Sequence, residues 1–205
     1  MEDLSELKKQ KVVSSFIICQ LAGAGTDFPK TMSSYRCNFA RLVDKSINEY
    51  ASARDYVLAE VNEHHRSAED MMKNGQYIYA HFISNELENC FSTVRRLFNY
   101  FEKIKSDKTQ FNIDRTFRKK IVKFEDGIKT IRDLIHHIEK DISEGKIKKG
   151  EVIAPMINDD ATEVKIGNTT LKITDLSKVL RYFHQFGLDF MQYKFVPNKG
   201  YEKIK

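Results

Sequence analysis

Along most of this chain apolar residues recur at alternating steps of three and four, the spacing that lays a stripe along one side of a helix. Over 34–69 that stripe is Phe39, Val43, Ile47, Tyr50, Val57 and Val61. A second runs from Gly75 to about Lys105 through Ile83, Leu87, Cys90, Val94, Leu97, Phe101 and Ile104. A third is unbroken through Phe117, Ile121, Phe124, Ile128, Ile131, Ile135, Ile138 and Ile142, which predicts one helix over 114–143. Long amphipathic helices in succession bury their stripes by packing antiparallel through short connections.

The period then changes. Over residues 151–173, β-branched residues and alternation replace the helical stripe: Val152-Ile153, Val164-Lys165-Ile166 and Leu171-Lys172-Ile173. Gly167-Asn168 between two of these runs is a hairpin signal, because glycine takes a positive φ without steric cost. Thr174 or Asp175 is then placed to cap a last helix through Leu176, Leu180, Phe183, Gly187 and Phe190, ending near Pro197. At the other end, residues 3–21 read as a docking helix, with Asp3-Leu4-Ser5-Glu6 placed as a capping box. The expectation is an all-α fold: an antiparallel bundle of four to five helices with a small β-hairpin insertion before the last helix. It forms one domain over 1–205, with 1–30 as an N-terminal helix and loop and 151–173 as the β excursion.

Composition agrees with that class. The 205 residues are 41% hydrophobic, with only three prolines and nine glycines, enough apolar content to bury a core and too few breakers for a sandwich of short strands. Cys19, Cys37 and Cys90 lie far apart with no C-x-x-C pair, so neither a zinc site nor a disulfide framework is implied, and a reducing cytoplasm fits. Lys8, Lys9 and Lys11 before the apolar 12–24 imitate a secretion signal. The acidic Glu2, Asp3 and Glu6 and the polar Ser14, Ser15 and Gln20 argue against one. No segment reaches the roughly 20 apolar residues of a membrane-crossing helix. In a cytoplasmic protein the sequon Asn168-Thr169-Thr170 goes unused.

Charge narrows the picture further. The net charge of +5 is uneven, because Arg95 to Lys129 holds eleven Lys or Arg against five Asp or Glu, a local excess of +6. That excess leads directly into Arg132-Asp133-Leu134-Ile135-His136-His137, where polar residues interrupt the apolar stripe. At about 100° per residue, Arg132 lies on one flank of the stripe, Asp133 nearly opposite the stripe, and His137 on the far flank. Asp133 with His137, and Arg132 with His136, are neighbours one turn apart. Arg132 and His137 share no face of a straight helix, so joint use of both needs a distorted helix or a second copy.

The chemistry available to such a group is RNA cleavage without a metal or cofactor. A histidine titrating near neutrality helps deprotonate a ribose 2'-hydroxyl, and the planar arginine fork stabilises charge building on the phosphate. Asp133 would orient the imidazole. Arg, then a polar residue such as Asp, then three residues and His, late in a helical bundle, resembles the R-x4-H motif of the HEPN superfamily, with Arg132, Asp133 and His137 at its named positions. The resemblance implies a metal-independent endoribonuclease of toxin or defence type, working as a homodimer in which both copies of the motif line one cleft. RNA is the implied substrate, and a neutralising protein a further implied partner. His136 and the basic residues Arg95, Arg96, Arg115, Arg118, Lys119 and Lys120 are then candidate RNA contacts.

A rival reading from another class treats the same residues as a polar network on a non-catalytic helical interaction or dimerisation module. It expects Arg132 to be tied to an acid such as Glu86, Glu88 or one from another protomer, with no open cleft at His137. Other constellations are weaker. His64-His65 near Glu60, Glu69 and Asp70 lacks a second ligand cluster, so a polar helix end explains it better than a metal site. Ala22-Gly23-Ala24-Gly25 lacks the flanking strand, helix and Lys-Ser/Thr of a phosphate loop. Phe98 and Phe101, beside Arg95 and Arg96, fall on the apolar face and read as core.

Overall fold

The structure is a computed structural model that describes residues 1–23, 27–75, 78–109, 111–146 and 154–204. It is mostly helical, with two small antiparallel sheets. The helices are α1 (Ser5–Lys9), α2 (Val12–Leu21), α3 (Lys30–His64), α4 (Ala68–Asn74), α5 (Ala80–Ser106), α6 (Arg115–Val122), α7 (Glu125–Ser143) and α8 (Ile173–Met191). The strands are β1 (Met156–Ile157), β2 (Glu163–Ile166), β3 (Thr169–Lys172), β4 (Tyr193–Val196) and β5 (Gly200–Lys203).

Helices α3 and α5 form the spine. They run antiparallel: Tyr35 meets Tyr100 with centroids 5.9 Å apart at one end, and Tyr56 meets Phe82 at 5.1 Å near the other. The stripe of α5 is buried throughout, from Ile83 to Ile104. That of α3 is buried as far as Ala53, but Leu58 (46%) and Val61 (42%) beyond it are exposed. Helix α8 closes the core from the far side, where Phe183 and Phe186 set their rings edge-on against Phe39, Phe98 and Phe101.

Helix α2 packs against α8, most closely at Gly187. A Cβ placed on Gly187 would come within 2.9 Å of Val12 Cγ1, so glycine is what lets the two backbones approach. The N-terminal segment is also held by the buried Leu4 and by polar bonds. Asp44 of α3 accepts the amides of Val12 (2.9 Å) and Val13 (3.0 Å), and His184 of α8 meets the Gln10 carbonyl at 2.7 Å. Arg181 bonds both Glu2 and Glu6, and Ser177 donates to Glu2. The Ser177 bond, then Arg181, holds the Glu2 carboxyl below its ordinary pKa.

Several boundaries differ from the sequence expectation. The helix expected over 3–21 is two, because Asp44 caps a fresh start at Val12; the Asp3–Glu6 capping box does not form, and Asp3 accepts the Ser5 amide instead. The helix expected over 34–69 begins earlier, at Lys30, and stops at His64, with α4 beginning again under a Ser67 cap. The helix expected over 114–143 breaks at Lys123-Phe124 into α6 and α7, with Asp114 capping the Phe117 amide. Helix α8 starts at Ile173, so neither Thr174 nor Asp175 is its cap.

The β excursion is a three-stranded sheet in the order β1-β2-β3, with Ile166 opposite Thr169 across the expected Gly167-Asn168 turn. Gly167 has φ +54 there. The Val152-Ile153 part of the expected excursion lies outside the described residues. The last helix ends at Met191, short of Pro197, and a second hairpin that the sequence reading missed follows it, β4 paired with β5 around Asn198 at φ +68. Among the described residues no helix is long and apolar enough to cross a membrane.

The most deeply buried charged side chain among the described residues is Arg36. Arg36 of α3 is 0% exposed, yet Nη2 donates to the Met191 carbonyl at the end of α8 (3.0 Å) and Nε and Nη1 lack acceptors. Its guanidinium lies 3.9 Å from the Phe28 ring centroid, with Phe190 and Phe16 at 5.6 and 6.0 Å. Burial lowers its pKa to about 10, so it stays charged at neutral pH. Arg36→Ala is expected to cost about 2–5 kcal/mol in urea unfolding, the range of large-to-small core changes. Arg36→Met, which refills the volume, should cost clearly less. At Gly187, Gly187→Ala should cost about 1–3 kcal/mol through overpacking on Val12. A Val12→Ala change in the same chain should recover part of that loss.

Candidate functional site: the outward face of α7

Helix α7 is oriented by its stripe. Ile128, Ile131 and Ile135 are buried against α5 and the β2–β3 hairpin, which turns the polar residues between them toward solvent. His136 and His137 are exposed, and Arg132 and Asp133 are partly exposed, at 36% and 37% of their side chains. Arg132 Nη1 donates to Asp133 Oδ1 at 3.0 Å. That is a neighbour on its own helix; no acid from another element pairs with Arg132 among the described residues.

The i,i+4 bonds expected from Asp133 to His137 and from Arg132 to His136 are not formed. Asp133 turns to Arg132 instead, and neither histidine is held by a hydrogen bond or ion pair among the described residues. His137 and Asp133 face a shallow depression of about 470 Å³, together with Lys140, Asp141 and Lys146. Arg132 is not part of its wall. Five residues of helix separate Arg132 from His137 by about 140° and about 7.5 Å of rise, so one protomer does not present both to one ligand atom. The depression is mixed in sign, with Lys146 paired to Glu144 (2.5 Å) and near Asp141 (3.8 Å).

The other basic residues lie on two further elements. Arg95 of α5 is engaged with Glu125 in the first turn of α7 at 2.7 Å, so it ties these helices together and is not a free cation. Arg96, the next residue, is exposed. On α6, Arg115, Lys119 and Lys120 are exposed and Arg118 is partly buried, a basic face of the helix that leads into α7.

The remaining sequence candidates are structural. His64 pairs with Glu60 at 3.3 Å, and Arg66 bridges Glu63 and Asp70 at 2.6 Å each. Among the described residues no three His, Cys, Asp or Glu side chains are grouped to hold a metal ion. Phe98 and Phe101 are buried in the core. The residues that sequence reasoning missed are the aromatic and carboxamide groups between α6, α8 and the terminal hairpin. The signal available for them was the alternation of Tyr193, Phe195 and Tyr201 about Asn198-Lys199-Gly200.

Compared with protein families, curated proteins and solved structures, the chain has no match in any of the three.

The difference between Arg95 and Arg96 is measurable. Arg95→Ala should lower stability by about 0.5–1 kcal/mol in thermal unfolding, the scale of a partly exposed ion pair. Arg96→Ala should stay within about 0.5 kcal/mol of the parent, as exposed substitutions do.

Proposed function

We propose that this chain is a HEPN-like RNA-binding protein that works as a homodimer and cleaves RNA without a metal ion. In this reading the α7 faces of two protomers form one cleft, with Arg132 from one side and His137 from the other. The observation that carries it is that Arg132 and His137 are accessible on α7 and neither is secured to another helix. Arg132 holds the phosphate and stabilises its developing charge, while His137 takes the 2'-hydroxyl proton. Asp133, bonded to Arg132, positions the guanidinium. The basic face of α6 attracts the RNA backbone toward the cleft. Dimerisation supplies what the 140° separation on one helix denies.

A second reading, a non-catalytic helical interaction module, is favoured by the mixed charge around His137. Alternating acids and bases complement a protein surface better than a phosphate chain.

The two readings separate in one assay. Purified protein is incubated with structured and single-stranded RNAs in excess chelator, beside His137→Ala and Arg132→Ala, with mass measured by light scattering. The nuclease reading expects a dimer and a loss of about 10²-fold or more in cleavage rate for either variant, the scale of removing a general base or a charge stabiliser. Equal cleavage by parent and variants, or no cleavage of any RNA, overturns it.

A further inference from the structure

An open groove among the described residues lies away from α7, between the start of α6, the last turns of α8 and the terminal hairpin. It has a volume of about 670 Å³. Its floor is aromatic: Phe111 and Phe186 are nearly buried, and Phe117 and Tyr193 are partly exposed beside them. Phe111 meets Tyr193 edge-on at 4.9 Å, and Phe117 lies nearly parallel to Phe186 at 6.4 Å. Such a floor offers ring faces to a flat ligand.

The rim selects among flat ligands. Its charged groups are already engaged: Asp114 accepts the Phe117 amide at 2.7 Å, and Asp189 accepts from Lys203 at 2.5 Å. Its free polar groups are carboxamides. The side chains of Asn112, Gln185 and Gln192 make no hydrogen bond among the described residues, and all three residues are exposed at the groove. A carboxamide presents one donor and one acceptor side by side, the pattern that the edge of a nucleobase matches in pairs. An acyl chain would strip water from these groups without replacing it, and an anionic ring would find Lys203, the cation lining the groove, already paired with Asp189. A neutral heterocycle with both donors and acceptors satisfies them. Arg115, Arg118 and Lys119 follow Asp114 on α6 but do not line the groove, so it is the base of a nucleotide, and not its phosphate, that the lining residues recognise.

We infer that this groove binds the purine base of a nucleotide, stacked on Phe117 and Tyr193 and read by Gln185 and Gln192. A purine is favoured over a pyrimidine because stacking is driven by ring area and the groove is large enough for the bicyclic ring. The site stands apart from the α7 face and does not depend on its reading. A free nucleotide and an unpaired base of an RNA strand offer the same chemistry.

The test is calorimetric titration of the full chain with AMP and GMP, against CMP and ribose 5-phosphate. Saturable binding of a purine nucleotide is expected, with both controls weaker by about tenfold or more. Gln185→Ala with Gln192→Ala should weaken purine binding about tenfold or more through two lost hydrogen bonds. Because both positions are exposed, the melting temperature should not change. Tyr193→Leu should weaken binding on its own by removing a stacking face. Absence of saturable purine binding overturns the inference, as does equal binding of ribose 5-phosphate, or full affinity in the double carboxamide variant. Once AMP binds, its displacement by a short oligoadenylate, but not by an abasic strand of equal length, assigns the base to RNA. Failure of the oligoadenylate to displace AMP assigns it to a free nucleotide.

Discussion

The interaction on which the rest of the structure depends is the burial of Arg36. Its guanidinium is fully enclosed, stacked on Phe28 with Phe16 and Phe190 nearby, and its one satisfied arm holds the carbonyl of Met191. Met191 is the last residue of α8, where free carbonyls and the negative end of the helix dipole favour a cation. A buried charge with no acid beside it is costly, and aromatic faces and a helix end offset only part of that cost. The arrangement survives because it joins four parts of the chain at one point: α2 through Phe16, the segment before α3 through Phe28, α3 itself, and the end of α8. Cys19 donates to the same Met191 carbonyl at 3.1 Å, so α2 shares the anchor.

That anchor was visible in the sequence in one respect and hidden in another. Met32, Arg36, Phe39 and Val43 are spaced four, three and four, so Arg36 occupies a core position of the α3 stripe. A cation in the register of a buried face signals an interior partner, but nothing local says which. The partner is a carbonyl 155 residues away. The breaks within expected helices follow the same logic. Nothing near Gln10 demands a stop, yet Asp44, more than thirty residues on, supplies a cap at Val12 that local reading cannot see. Between α6 and α7 the stripe continues across the break; Phe117 and Phe124 both reach Tyr182, at 6.1 and 6.3 Å. Periodicity reports which residues face the core across such a break, and it overshoots at helix ends, where Val61 and Ile142 of the stripes are exposed.

The candidate residues on α7 follow from that periodicity more reliably than their mutual contacts do. With Ile128, Ile131 and Ile135 buried, Arg132, Asp133, His136 and His137 must point outward, and they do. Which of them bond to one another depended on rotamers: Asp133 took Arg132 rather than His137, one residue away rather than one turn. The basic run ahead of α7 was similarly misleading when treated as a unit. Arg95 faces inward along the α5–α7 seam and is satisfied by Glu125, whereas Arg96 faces solvent. A count of charges along the chain cannot make that distinction, because it depends on a rotation of one residue.

The groove beside α6 and the buried Arg36 are two consequences of how α8 ends. Arg36 fixes the carbonyl of Met191; the next two residues, Gln192 and Tyr193, line the groove, and Tyr193 opens the terminal hairpin. The hairpin returns so that the Ile204 amide donates to the Gln192 carbonyl at 2.7 Å, and Lys203 bonds Asp189 one turn back on α8. Phe111 fills the angle between them, ringed by Phe190, Tyr193 and Tyr201 at 4.7 to 5.1 Å. The groove wall is therefore built on the one helix end that a buried cation pins in place. A ligand stacked there would press against Tyr193 and Gln192, and through their shared backbone against the Met191 carbonyl that Arg36 holds.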